Sequence, residues 1–323
     1  MPAVTADDLP RSFGFLLLDD FTLISMSSAV EPLRMANRIS GEELYSWRLL
    51  SLDGGAINAS DGISVNVDAS IEDEPPADLD AVIVCGGTRI EEKVPATVTR
   101  WLRATASRGV ALGSLCTGSY ALAEAGLLDG YRCSIHWENI AGLADQFPKV
   151  TVSRNVYTID RDRFTCSGGT APIDMMCYFI RMQLGEEIAT GVADQFIYER
   201  IRLAGDEQRI PLSHRIGNRS GRLISAVQLM EANIREPIGQ AELADYVGIT
   251  VRQLQRLFRR HLGCTPSRYY LQIRLARARE LLRQTGLSLV EISVLTGFVA
   301  SSHFSKTYKD YFGCTPSQER RMF

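Results

Sequence analysis

The pentapeptide Gly-Cys-Thr-Pro-Ser occurs at residues 263–267 and again at 313–317, an identity too long to arise by chance inside one chain. The residues before each copy also match. RLFRRHLGCTPS lies over KTYKDYFGCTPS, with Phe258 over Tyr308 and Leu262 over Phe312. Each stretch has apolar residues at helical spacing, a glycine after the last turn and a proline shortly beyond, which is how helices end.

Upstream of each copy lies a shorter helical pattern and a turn. Residues 241–247 are followed by Gly248, Ile249 and Thr250, with Thr250 placed to cap a helix that begins at Val251. Residues 289–296 are followed by Gly297 and Phe298, with Ser301 placed to cap the next helix. Helix, glycine turn, helix is the helix-turn-helix pattern. In the first unit Val251, Leu254, Leu257, Phe258 and Leu262 share one face, leaving Arg252, Gln253, Gln255, Arg256, Arg259 and Arg260 outside. Arg and Gln carry paired donors and acceptors that match guanine and adenine edges in the major groove. In the second unit Phe304, Tyr308 and Phe312 face inward and Ser302, His303, Ser305 and Lys306 outward, so direct base readout is expected mainly from the first. Residues 266–284 read as one connecting helix with Leu271, Leu275, Ala278 and Leu282 as its buried stripe. About 18 residues span ~27 Å, which suits recognition helices set in successive major grooves ~34 Å apart.

The charge distribution agrees. The whole chain carries a net charge of −3, but from Asn218 onward 16 Arg and Lys face 8 Asp and Glu, while the remainder holds 19 against 30. A basic segment beside an acidic one points to a polyanion as partner of the basic part, here a double-stranded DNA operator. A solvated arginine-rich face would account for one such helix; it does not account for the repeat, both turns and the charge split together. These residues, 221–323, resemble the AraC/XylS family of bacterial transcription regulators, through the Leu243-Ala244 to Gly248 unit, the Ile292 to Gly297-Phe298 unit and both G-x-x-P endings. The resemblance implies base-facing roles for Arg252, Gln255 and Arg256 in the first unit and for Ser302, Ser305 and Lys306 in the second. It implies RNA polymerase as a further partner.

At 323 residues the chain exceeds what one hydrophobic core usually supports, and two domains are expected. Residues 11–203 read as an α/β domain. Strands are expected at 13–18, 47–52, 81–84 and 110–114, and helices near 27–39, 96–107 and 119–125, with a closing helix over 189–203. Strands alternating with helices argue for a parallel sheet flanked by helices, flavodoxin-like, with its ligand sites in the loops after the strands. Residues 204–220, with Gly205, Pro211 and Gly217, read as the linker to the all-α domain at 221–323.

Within the α/β domain, residues 113–119 run a strand directly into a helix with Cys116 at the bend. That is the geometry of a nucleophile elbow, where a helix start stabilises a thiolate and binds anions. His136, in Cys133-Ser-Ile-His136-Trp137, is the histidine this domain offers as a base. A small residue tolerated at a tight turn, with His136 and Trp137 as core packing, is the structural alternative. The seven cysteines include no C-x-x-C pair, so neither a disulfide framework nor a zinc site is expected, and Cys133, Cys166 and Cys177 read as core or strand residues rather than ligands. No cofactor is expected.

This domain resembles the PfpI-like, class I glutamine amidotransferase-like superfamily, and specifically its GlxA-type regulator branch, on Glu31, Cys85-Gly86-Gly87, Cys116-Thr117-Gly118, residues 125–128, His136-Trp137 and residues 167–170. In hydrolytic members a histidine follows the elbow cysteine, where this chain has Thr117; many ligand-binding relatives carry an acid where it has Ser25. Both departures weigh against catalysis. The resemblance therefore implies a catalytically inactive pocket in which Glu31, Cys116, Thr117, His136 and Trp137 hold a small-molecule inducer, in a transcription activator that works as a homodimer. The opening segment and residues 114–139 look most like regulators of quaternary-amine and amino-acid catabolism, which implies glycine betaine, carnitine or arginine as inducer. The carboxylate would sit at the helix start after Cys116 and a trimethylammonium group against Trp137 or Tyr131. Two other readings stay open: a DNA-binding regulator without small-molecule input, and an active cysteine hydrolase with Cys116 as nucleophile. No apolar run approaches the ~18 residues that cross a bilayer, and the opening MPAVTADDLP lacks the features of a secretory signal, so a cytoplasmic location is expected.

Overall fold

Phe13, Phe15 and Leu17 alternate along the first strand with Gly14 and Leu16, and the two sets pack into different cores on opposite faces of one sheet. The computed structural model describes residues 9–72, 79–208 and 221–321. Its contacts divide the chain into two units, Met1–Arg209 and Ile210–Phe323. In the first unit the strands are β1 Ser12–Leu17, β2 Ser46–Ser51, β3 Ile57–Asn58, β4 Ser64–Val65, β5 Ala69–Ser70, β6 Ala81–Cys85, β7 Ala111–Leu115, β8 Arg132–Ser134, β9 Thr151–Ser153, β10 Tyr157–Asp160 and β11 Arg163–Cys166. The helices are α1 Leu23–Ser40, α2 Ala96–Ser107, α3 Ser119–Glu124, α4 Ile140–Gln146, α5 Ala171–Leu184 and α6 Glu186–Gln195.

Seven strands form the main sheet in the order β10-β11-β7-β6-β1-β2-β5, parallel throughout except for β10, which pairs antiparallel with β11. One core, built on Phe13, Phe15, Ile83 and Phe164, is covered by α1, α5 and α6; the other, built on Leu16, Val82, Val84 and Leu112, is covered by α2, α3 and α4. Register then aligns the strand ends. Leu17 pairs with Cys85, Cys85 with Leu115, and Leu115 with Cys166, so the loops leaving β1, β6, β7 and β11 emerge side by side.

The expected closing helix over 189–203 is corrected to Glu186–Gln195. Ile197 takes a left-handed φ of 53°, which a helix cannot continue, and the following residues leave to satisfy a buried carboxylate described below. Residues 204–208, expected to open the linker, belong to the first unit: Val156 N donates to Asp206 O and Gln208 N to Arg154 O. The remainder of that linker, 209–220, lies outside the described residues.

Among the described residues, the second unit holds helices Gly221–Ala232, Gln240–Tyr246, Val251–Leu262, Pro266–Gln284, Leu289–Leu295, Ser301–Phe312 and Pro316–Arg320. Its described residues form two small cores. Leu243, Leu254, Phe258 and Tyr270 belong to one; Leu275, Ala278, Leu282, Ile292, Phe304 and Tyr308 to the other. The central helix Pro266–Gln284 is buried in the first core by its N-terminal half and in the second by its C-terminal half, so the two helix-turn-helix units share one rigid member. Helix Gly221–Ala232, which completes the first core through Leu223, Ala226, Val227 and Met230, lies beyond the repeat and left no mark in it. Thr250 caps its helix as expected, in a capping box with Gln253. Ser301 does not: Ala300 holds the extended N-cap position, Ser301 is already helical, and no side chain caps this end.

Candidate functional site

The four aligned loops enclose Cys116. Its backbone is left-handed at φ 58°, the strained turn expected where a strand passes directly into a helix, and only 7% of the residue is exposed. From the β1 loop, Thr22 Oγ1 donates to Cys116 Sγ at 3.4 Å. From the β6 loop, Gly87 accepts a bond from Thr117 Oγ1 at 2.7 Å. A β-carbon at Gly87 would lie 1.8 Å from Asp20 O, so only glycine lets these two loops meet. From the β11 loop, Gly169 N donates to Ser25 Oγ at 2.9 Å, which places Ser25, buried on α1, beside the elbow.

Beneath the elbow, buried hydroxyls tie its parts together. Ser119 Oγ donates to Ser134 O and shares a hydrogen bond with Ser114 Oγ, both 2.6 Å, while Ser134 N donates to Thr165 Oγ1 at 2.7 Å. These bonds fix β8 against the main sheet and bring the next loop over Cys116, where His136 N donates to Cys116 O at 3.1 Å. The imidazole stands 3.6 Å from Glu138 by Nδ1 and tilts over Trp137 with ring centres 5.2 Å apart. Both rings are half-buried.

Burial raises the Cys116 thiol above its ordinary value, outweighing the Thr22 and Thr117 hydrogen bonds that lower it, and the Glu138 charge raises it further. The helix start expected to favour a thiolate does not prevail here; α3 has only six residues. Cys116, Thr117, His136 and Trp137 thus come together. Glu31 lies elsewhere on α1, six residues or ~9 Å along the axis from Ser25, with its carboxylate held by Arg34 at 2.6 Å. Tyr131 is turned to other work, its ring covered by Arg161 at 3.5 Å and its hydroxyl bonded to Asp162.

Sequence reasoning missed a buried ionic network next to the elbow. Asp174, in the first turn of α5, is fully buried and accepts bonds from Arg202 N, from Arg202 Nε at 2.8 Å and from Tyr198 Oη at 3.1 Å. Burial raises its carboxyl, opposed by Arg202. Arg202 also donates to Thr170 Oγ1 at 3.1 Å, in the β11 loop. The acid in an otherwise apolar first turn was the available signal; its partner, 28 positions away, was not readable locally. Farther along this segment, Gln208 Nε2 donates to Ile135 O, the residue before His136. Residues 198–208 therefore touch two elbow loops just before the chain continues toward the second unit.

In the second unit, the ten residues from Val251 and the ten from Ser301 have the same burial pattern, position for position. Arg252, Arg256, Ser302 and Lys306 are exposed, and Gln255 and Ser305 half-buried, all at corresponding places. Gln255 Nε2 donates to Gln240 Oε1 at 3.1 Å, a bond that uses one of its two amide N–H groups. Gln253, read as outward, is held in the cap by Thr250 N at 2.9 Å.

The DJ-1/PfpI family model matches residues 13–182 and a helix-turn-helix domain model matches residues 243–322. The HTH-type transcriptional regulator GbdR of Pseudomonas aeruginosa is 53% identical over 312 residues, 97% of this chain and 84% of that protein. The HTH-type transcriptional regulator GlxA of Rhizobium meliloti is 36% identical over 312 residues, 96% of each. Among solved structures, an AraC family transcriptional regulator from Pseudomonas putida superposes with a TM-score of 0.52 at 31% identity, covering 58% of this chain and all of that one.

Proposed function

Because this chain belongs to the AraC-type transcription regulators that carry a DJ-1/PfpI domain, we propose that it is a sequence-specific, DNA-binding activator controlled by a small metabolite held in the elbow loops. It is a regulator rather than an enzyme, as its relatives are named. The observation that carries the DNA reading is the paired helices of the second unit: each buries the same positions, presents the same positions, and is anchored to one helix shared by both cores. Arg252 and Arg256 are the principal base-reading side chains, with Gln255 joining through its remaining N–H and oxygen while Gln240 holds it; Ser302, Ser305 and Lys306 serve the second half-site.

The inducer is a small carboxylate with a cationic or quaternary amine, of the betaine, carnitine or amino-acid class. Thr22, Cys116 and the half-buried ring of Trp137 support this, the ring offering a face to a cation. The protonated Cys116 acts as a wall of the pocket. Residues 198–208 support a route outward, since they contact the Thr170 and Ile135 loops and lead into the connection to the second unit. A ligand preference of ~1 to 3 kcal/mol for one state is enough for a roughly 5- to 150-fold change in operator affinity. The protein works in the cytoplasm as a homodimer that contacts RNA polymerase.

The test is a thermal-shift screen of the full chain against betaine, dimethylglycine, carnitine and arginine, followed by operator binding with and without any hit. A dose-dependent shift that Trp137→Ala abolishes, together with changed operator affinity, is the expected result. No shift from any compound removes this inducer class. Separately, Arg256→Ala should weaken specific DNA by about 1 to 3 kcal/mol and relax one base position; an equal loss on random DNA would reduce it to a phosphate contact.

A further inference from the structure

Val299 is fully exposed, at 105% of its reference area, yet it directly follows a turn that the central helix holds. Phe298 beside it is buried and packs on Phe304 with ring centres 5.2 Å apart. Arg274, from the central helix, lies 4.2 Å over the Phe298 ring and donates to Thr296 O at 2.7 Å and Gly297 O at 2.6 Å. The guanidinium and the buried ring fix the three residues before Val299, and Ala300 O after it accepts the first helical bond, from Phe304 N, so the valine lies outward between two held segments.

The first helix-turn-helix treats the same place differently. From Gly248 to the helix start at Val251 is three steps; from Gly297 to the helix start at Ser301 is four. In the first, Thr250 closes a capping box with Gln253. In the second, the inserted residue puts Val299 outside and leaves Ala300 at an N-cap without a side-chain bond, forgoing a common source of helix stability. Local rules broken without a folding benefit point to function. The N-terminal end of the second helix is where helix-turn-helix units meet base edges, and the one feature of a base edge that an apolar side chain recognises there is the thymine C5-methyl group.

We propose that Val299 reads a thymine methyl in the major groove, making the second helix-turn-helix a reader of A·T pairs by apolar contact, where the first helix-turn-helix reads by arginine. This rests on the DNA-reading function proposed above. It also accounts for a second helix-turn-helix in which Ser302 and Ser305 are short.

The test begins by selecting duplexes from a random pool with the full chain, then replacing each dT of the second half-site by dU, which removes only the methyl group. At one dT, replacement should weaken wild-type binding about fourfold, the worth of one buried methyl. Val299→Ser should lose the same factor on the dT duplex and be indifferent to the replacement, with an unchanged melting temperature because the side chain packs on nothing. Insensitivity of the wild type to every replacement overturns the proposal, as does an equal response of both proteins to dU. So does a Val299→Ser protein that binds normally but activates transcription poorly, which would make the valine a protein contact. Failure to select any preferred duplex would instead remove sequence-specific DNA reading itself, and this inference with it.

Discussion

A β-carbon built on Gly168 would stand 2.8 Å from the β-carbon of Cys116, so the β11 loop closes on the elbow with no room for a side chain. Gly168 also sits at φ 89°, a conformation that L side chains resist. Gly168→Ala should destabilise the first unit by about 2 to 4 kcal/mol, from backbone strain plus the clash. Gly169→Ala is the control, since Gly169 is left-handed at φ 61° but has nothing within 4 Å of its β-carbon position. Urea denaturation followed by tryptophan fluorescence reads this unit alone, because Trp47, Trp101 and Trp137 all precede residue 209. Equal losses in the two variants would show that the elbow yields to the clash.

Cys116 should be a slow thiol. Its burial outweighs the hydrogen bonds that favour a thiolate, and reactivity follows the thiolate. At neutral pH, iodoacetamide should label the half-exposed Cys264 before Cys116, by roughly tenfold or more, as read by peptide mass mapping. Cys116→Ser should keep DNA binding. Rapid labelling of Cys116 would return the hydrolase reading to contention.

The α/β layout was legible because buried parallel strands are near-continuous apolar runs, and residues 13–18, 47–52, 81–84 and 110–114 each lie within a residue of an observed strand. Strands β10 and β11 are short and mixed, and were not distinguished from loop. The second unit was legible through its repeat, so elements outside the repeat, such as Gly221–Ala232, passed unseen. Cys116, Thr117, His136 and Trp137 lie on loops next to strand ends, where the sequence pattern is easiest to place. Helix α1 begins at Leu23, four residues earlier than its pattern indicated, and it is Ser25 rather than Glu31 that bonds the β11 loop beside Cys116. Asp174 and Arg202 meet only through the tertiary fold.

Removing Arg202 should be more harmful than its partial exposure indicates. Arg202→Ala leaves the Asp174 carboxyl buried without its cation, which typically costs about 3 to 5 kcal/mol. The first unit should lose that amount in denaturation monitored by tryptophan fluorescence. Asp174→Leu combined with Arg202→Met, which leaves no buried charge, should recover a large part of it. If the double variant is no better than the single one, packing of residues 198–208, rather than charge compensation, is what Arg202 provides.

The second unit carries its own pH sensitivity through Glu319. Burial would raise this carboxyl, but hydrogen bonds from Arg279 and Arg283 hold it down to about 2 from an ordinary 4.5. Tyr308 Oη donates to the same carboxylate at 3.2 Å, which ties the last helix to the second core. A depressed carboxyl binds fewer protons in the folded state than in the unfolded one. Its contribution is therefore complete above about pH 4.5 and is lost as pH falls toward 2. The amount at stake is on the order of 3 kcal/mol. Hydrogen exchange of the helix Ser301–Phe312, corrected for the intrinsic pH dependence of exchange, should show falling protection below pH 4.5. Glu319→Gln should be destabilised at neutral pH and lose little more on acidification. Parallel pH profiles for the variant and the wild type would mean that other carboxylates govern the acid response of this unit.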